Sequence, residues 1–162
     1  MAAVDYFLKI EGVDGESSDH KHKAEIEVES WSFGETNGGS FAHGGGGGAG
    51  KVSMQDFHFV MRVNKASPKL FLACATGEHF KKAMLTCRKA GKSQQDFLKI
   101  NFSDLLVSSY QTGGTAGSNV IPTDQLSLNF AKIEFEYAEQ KADGTLGPYV
   151  KTAYDLKANK AV

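Results

Sequence analysis

Apolar and polar side chains alternate one by one in several separate stretches of this chain, and this period of two constrains its fold more than any other feature. Glu25-Ile26-Glu27-Val28-Glu29 puts Ile and Val on one face and carboxylates on the other. Phe57, Phe59, Met61 and Val63 share a face opposite Asp56, His58 and Arg62. Ala83, Leu85 and Cys87 alternate with Lys82, Thr86 and Arg88, and Leu98, Ile100 and Phe102 with Lys99 and Asn101. Leu126, Leu128 and Phe130 alternate with Ser127 and Asn129. Each pattern is that of an antiparallel strand with one face on a core and one in water.

The apolar phase slips in two places. Leu126, Leu128 and Phe130 are even-numbered, whereas Ile133, Phe135 and Tyr137 are odd. Ile26 and Val28 are even, whereas Trp31 and Phe33 are odd. Without a correction the later side chains would turn to solvent, so each slip predicts a β-bulge that bends its strand and curls the sheet. One stretch breaks the pattern. In Ser67-Pro68-Lys69-Leu70-Phe71-Leu72-Ala73-Cys74-Ala75-Thr76-Gly77 the sequence predicts a helix, with Ser67 as N-cap, Pro68 at the first position and Gly77 as the stop. Leu70, Phe71 and Cys74 form its apolar stripe. Residues 12–23 and 112–123 read as loops. The fold expected is mainly β: a small antiparallel β-barrel of two curved sheets with one flanking helix, a single domain over residues 1–162.

Composition narrows the function. The formal net charge of the 162-residue chain is −1, which marks it neither as a nucleic-acid binder nor as a polybasic membrane ligand. No stretch approaches the roughly 20 apolar residues of a membrane-spanning helix, so no membrane insertion is expected. Met1-Ala2-Ala3-Val4-Asp5-Tyr6 lacks the basic and apolar regions of a cleaved signal peptide, so synthesis and folding in the cytoplasm are expected. Cys74 and Cys87 are too few for a disulfide framework and read as reduced, buried small residues.

Gly45 to Lys51 fits the Gly, four residues, Gly-Lys spacing of a phosphate-binding loop. The hydroxyl such a loop needs next is replaced by Val52, and the residues that follow alternate like a strand where a helix should start. The run Gly44 to Gly48 reads instead as a long loop, costly to order by itself, that gains order against a partner. Gly44, Gly45, Gly46, Gly47, Gly48, Gly50 and Lys51 are its candidate partner-contact residues. The histidines form no set of zinc ligands in paired spacings, and Asp19-His20-Lys21-His22 reads as a solvated charged loop. Glu25, Glu27 and Glu29 read as a solvated or partner-facing surface rather than a catalytic cluster. No catalytic residue, metal site or cofactor is assigned. Read this way, the residues describe a β-barrel with a glycine loop, and a monomeric ligand-binding barrel and, more distantly, a P-loop nucleotide hydrolase stand as rival readings.

Asp5-Tyr6-Phe7-Leu8-Lys9-Ile10 with Gly12-Val13-Asp14-Gly15-Glu16-Ser17 resembles the opening of the Hcp (haemolysin-coregulated protein) family. So do Trp31-Ser32-Phe33-Gly34, His43-Gly44 through Gly50-Lys51-Val52, Ser67-Pro68-Lys69-Leu70 with Ala73-Cys74, and Arg88-Lys89-Ala90-Gly91. Leu106-Val107-Ser108-Ser109 and Leu128-Asn129-Phe130-Ala131-Lys132-Ile133 continue the match in the family's order to about Tyr137. Tyr154-Asp155-Leu156 departs from it, standing where relatives often carry a Trp. The resemblance implies a phage tail-tube-like barrel that assembles with itself into hexameric rings. These would stack as the inner tube of a bacterial type VI secretion system, inside a contractile sheath and behind a spike protein. It further implies secretion to the exterior or a target cell, carriage of small effectors in the lumen as a chaperone, and neither catalysis nor cofactor. It places Ser32, the serine of its W-S-x-G motif, on the lumen wall in contact with effectors.

Overall fold

A computed structural model describes residues 3–39, 51–89 and 94–162. The glycine run expected to touch a partner, Gly44 to Gly48 with Gly50, lies outside these residues. The elements in chain order are β1 (Val4–Ile10), β2 (Ile26–Val28), β3 (Ser30–Ser32), β4 (Glu35–Asn37), β5 (Val52–Met54), β6 (Phe57–Arg62), α1 (Ser67–Thr76), β7 (His79–Lys89), β8 (Gln95–Gly113), β9 (Thr123–Tyr137), β10 (Val150–Asp155) and β11 (Lys160–Ala161). The fold is mainly β and antiparallel, with a single helix among the described residues.

The 19-residue β8 and 15-residue β9 form a ribbon that serves both sides of the barrel. The first half of β9 pairs with β6, from Arg62↔Thr123 to Phe57↔Leu128. Its second half pairs with β10, from Lys132↔Asp155 to Tyr137↔Val150. β8 continues through β7 to β1 and β2. Past Glu29, whose N–H donates to the Val60 carbonyl at 2.8 Å, β2 becomes β3, and β3 pairs with β6. The pairing thus runs round one core, in which Phe102 packs on Phe57 and Phe130 with ring centroids 4.9 Å apart in each case.

Both phase changes exist, but not as the expected bulges. In the ribbon, Ser103↔Lys132 and Leu105↔Phe130 keep one register, so β9 carries no extra residue. Both strands change face together at Asp104 and Ala131. Asp104 adopts φ +52°, and the Ala131 carbonyl accepts from the N–H of Leu156 at 2.8 Å. The actual register shifts fall elsewhere, between Val107 and Ser109 and between Cys87 and Arg88. At the other slip, Glu29 separates β2 from β3. Trp31 and Phe33 reach only the margin of the core, Trp31 stacking on Phe57 at 6.1 Å and 28°.

The helix corrects two expectations, and the end of β6 a third. Ser67 is not the N-cap: Ala66 holds that place, and the Ser67 hydroxyl turns inward to donate to the buried Asp124 carboxylate at 2.6 Å. Leu70 and Ala73 are buried, but Phe71, expected on the same stripe, faces out with Leu72. Val63, expected on the buried face with Met61, lies just past β6 and is exposed. Gly77 does end the helix, at φ +71°.

Residues 12–23 lack helix and strand, as expected of a loop, but Asp19-His20-Lys21-His22 is not wholly solvated, because His22 is buried. Residues 12–25 form a strap across the outer face of β1 and β7, which explains why Thr86 and Arg88 are buried on the side expected to face water. The His22 ring stacks on Phe7 at 4.4 Å and lies between Glu25 (2.9 Å) and Asp96 (3.3 Å). Glu25, expected on the solvent face, is buried by this contact. The Arg88 guanidinium sits over Phe7 and donates twice to Asp19, at 2.9 and 2.8 Å, and once to Asp5. The start of the strap lies so close to its end and to β2 that a Cβ at Gly15 would run into the Glu25 carbonyl and the Ile26 backbone nitrogen. The hydrogen bonds from Arg88 hold the Asp19 carboxyl well below the usual carboxylate range. A carboxyl depressed in this way adds stability above its ordinary value of 3.8 and loses it as pH falls toward the depressed one. Arg88→Met and Asp19→Asn are therefore expected to lower Tm at neutral pH and to flatten the decline of Tm below about pH 4. Circular-dichroism melts across pH check this, and curves parallel to wild type would remove the pair as the strap's fastening.

Candidate functional site

The strands that turn toward the helix side of the ribbon present a different outer surface from the rest of the barrel. Ser32 is exposed on β3 and pairs across the sheet with His58. His58 pairs with Ser127 of β9, and Ser127 with Ser109 of β8. The next row is Ser30, Val60, Gln125 and Gln111. All of these residues except the buried Ser127 line an open cleft of about 420 Å³.

The bulge in β8 shapes one end of this surface. The shift between Val107 and Ser109 leaves Ser108 over, and both serines turn to Ser127. Ser108 also donates to Asp56 at 2.6 Å, and Asn129 donates to the other Asp56 oxygen at 2.9 Å. That carboxylate therefore has its partners within the surface. At the far end Arg62 pairs with Glu29 at 2.8 Å in an exposed contact of the kind worth little to stability. Between the two ends the side chains are hydroxyls, carboxamides, one imidazole and one valine. Such a face both donates and accepts hydrogen bonds and carries little fixed charge.

The opposite sheet is charged. Where β9 beyond Ala131 pairs with β8 before Asp104, the outward positions are Lys99, Lys132, Glu134 and Glu136, with Lys82 and Lys9 on the neighbouring strands. Lys151 bridges Glu134 and Glu136 from β10.

Of the residues singled out from sequence, Ser32 lies in the neutral cleft. Lys51 is exposed at the start of β5, which pairs with β4 in a separate hairpin. Lys51 and Val52 thus lead into a strand, the context expected from the alternation and the wrong one for a phosphate loop. His58, Ser108, Ser109 and Ser127 were not singled out. Their signal was present in the polar phase of the strands, which is small and neutral here and rich in lysine elsewhere.

A family profile described as "Type VI secretion system effector, Hcp" matches residues 7–137. The chain is 45% identical to Protein hcp1 of Pseudomonas aeruginosa over 159 residues, 97% of this chain and 98% of that protein. Among solved structures, Hcp1 from Salmonella typhimurium superposes with TM-score 0.81 at 36% identity, with all of both chains covered. A structure titled as a type six secretion system protein gives TM-score 0.94 at 29% identity, covering 99% of this chain and 100% of its own.

Because Ser32 is solvent-exposed and takes part in no described side-chain hydrogen bond, Ser32→Glu is expected to shift stability by no more than about 0.5 kcal/mol. A urea titration measures this, and a clearly larger loss would place Ser32 in packing.

Proposed function

This chain belongs to the Hcp family of type VI secretion proteins, and from that membership we propose that six copies close into a ring with the Ser32 face lining the lumen. Tube formation is the role of the family, and the stacking of such rings into a secreted conduit is the reading that fits this chain. The role is structural, with no reaction and no cofactor. The spike at the tip, the contractile sheath around the tube and small effectors within it are the remaining partners of this reading. No helix among the described residues is long and apolar enough to cross a membrane.

The observation that carries the proposal is the contrast between the two outer faces. A lumen through which diverse cargo passes is best lined by short neutral side chains that exchange hydrogen bonds with water, and the Ser32 surface has that character. The lateral margins of this surface also favour a ring. β3 pairs only with β6, and residues 107–113 of β8 pair only with β9, so two strand edges lack a described strand partner. Exposed edges of this kind are stabilised by association. A head-to-tail arrangement, in which one margin meets the other margin of the next copy, gives a closed ring when the rotation closes. The monomeric ligand-binding barrel is less well supported, since Phe57, Phe59, Phe102 and Phe130 fill the place where its ligand would lie.

Light scattering at micromolar concentration is expected to give six times the 17.5 kDa chain mass, and a monomeric mass overturns the ring. In Ser32→Glu rings a collar of like charge is expected to abolish co-purification of an effector retained by wild type. Undiminished retention, with the ring intact, removes Ser32 from cargo contact.

A further inference from the structure

An asparagine followed by glycine is the pair in which a side-chain amide is most open to attack by its own backbone, because glycine has no Cβ to hold the next amide nitrogen away. This chain has one such pair, Asn37-Gly38, at the end of β4. Two related pairs, Asp14-Gly15 and Asp143-Gly144, have their glycine N–H groups committed. Gly15 donates to the Ala24 carbonyl at 2.8 Å, and Gly144 to the Lys141 carbonyl at 2.9 Å. The Gly38 N–H makes no hydrogen bond among the described residues. Asn37, Gly38 and Gly39 are all exposed to water.

The backbone leaves room for the reaction. Asn37↔Val52 is the last described pair of the β4–β5 ladder, so rotating ψ of Asn37 disturbs no described pairing beyond it. Just past it the Gly39 N–H donates to the Asn37 carbonyl at 2.9 Å, which leads the chain out of the strand. This turn does not call for glycine at position 38. The φ of Gly38 lies outside the left-handed region, and a Cβ there would meet no described atom within 4 Å.

We propose that Asn37-Gly38 is a self-modification site, at which the asparagine converts to aspartate and isoaspartate, and that the conversion loosens the β4–β5 hairpin. The inference does not rest on the ring reading. The Gly38 amide gives up its proton to water, and its nitrogen attacks Cγ of Asn37. The N–Cγ bond forms, the Cγ–Nδ2 bond breaks, and Nδ2 takes back a proton and leaves as ammonia. Water then opens the cyclic imide at either carbonyl. Breaking the new N–Cγ bond gives aspartate in an ordinary backbone. Breaking the bond from the Gly38 nitrogen to the Asn37 backbone carbonyl gives isoaspartate, in which the backbone is longer by a methylene and the old carbonyl is a carboxylate. Water is the only co-reactant. Either product sets a negative charge two residues from Glu35, on the same face of β4, where like charges repel. Isoaspartate also removes the carbonyl that holds the Gly39 N–H and shifts the register of Asn37 on Val52. The hairpin is a three-residue pairing in a sheet of its own and has little to resist this.

The test incubates the full folded chain in mildly alkaline buffer, beside a synthetic peptide of residues 33–39. Peptide mass spectrometry is expected to show the NH2-to-OH mass gain at Asn37 in both. Two products of equal mass are expected, of which an aspartate-specific protease cuts one. Gly38→Ala, which the backbone accepts, is expected to slow the conversion about tenfold, because the new Cβ hinders the attack. Asn37→Gln is expected to lose it. In the converted chain amide hydrogen exchange across residues 52–54 is expected to quicken. An intact Asn37 in the folded chain while the peptide converts overturns the site. Equal rates in wild type and Gly38→Ala overturn the assigned nucleophile. Full conversion with unchanged exchange across residues 52–54 overturns the loosening of the hairpin.

Discussion

Everything in this molecule depends on the β8–β9 ribbon changing face midway. Toward the Leu98↔Tyr137 end of the ribbon from Asp104 and Ala131 one side is core, and toward the Gly113↔Thr123 end the other side is. The change costs little because it takes no residue out of register. An aspartate tolerates positive φ better than most residues, and the displaced Ala131 carbonyl is satisfied by the Leu156 N–H. Its consequence is large. A single ribbon belongs to two sheets, so the barrel has two outer faces whose composition can be set independently, and each half recruits its own neighbours.

Those neighbours differ in how they are held. The charged sheet is covered in part by the strap, where His22 and Arg88 are buried and paired around Phe7, although Arg88 Nε and one Glu25 oxygen have no partner among the described residues. Burying Arg88 and His22 is costly unless each is hydrogen-bonded, and here Asp19, Asp5, Glu25 and Asp96 supply the partners. The arrangement fixes one conformation of the strap more than it adds to net stability. The Ser32 sheet has no such cover. Its hydroxyls satisfy one another at the Ser108 bulge and leave the cleft open to solvent.

The alternation of apolar residues made the strands legible, and five Phe and Leu positions on β6 and β9 fell on the core as expected: Phe57, Phe59, Leu126, Leu128 and Phe130. Gly77 was legible because a left-handed helix stop has few alternatives. Ser67 was misread because its hydroxyl had a second use, a buried carboxylate far away in sequence, that local capping rules do not see. Glu25, Thr86 and Arg88 were misread for a related reason: strand periodicity assigns one wet face, and only the tertiary path of the strap shows that this face is covered. The phase slips were visible, but a slip can be met by a bulge in one strand or by a paired change in two, and one sequence cannot distinguish them. Ser32 entered through family resemblance, whereas the neutral row around it needed the register that joins β3, β6, β9 and β8.

A tube that is built, expelled and then abandoned places opposite demands on its two kinds of contact. Ring closure must survive transport, and stacking must yield afterwards. Apolar burial suits the first demand, since it strengthens roughly in proportion to the area removed from water and is insensitive to salt. Polar, hydrated contacts suit the second, because their net worth is small once water is released and regained. In the proposed ring the open margins of β3 and β8, with the exposed Phe71 of α1 beside the latter, lie at the flanks of the lumen surface, where neighbouring copies would meet. The surface between them is neutral and wettable, so under the proposed reading it would hold a passenger through hydrogen bonds without burying enough apolar area to retain it.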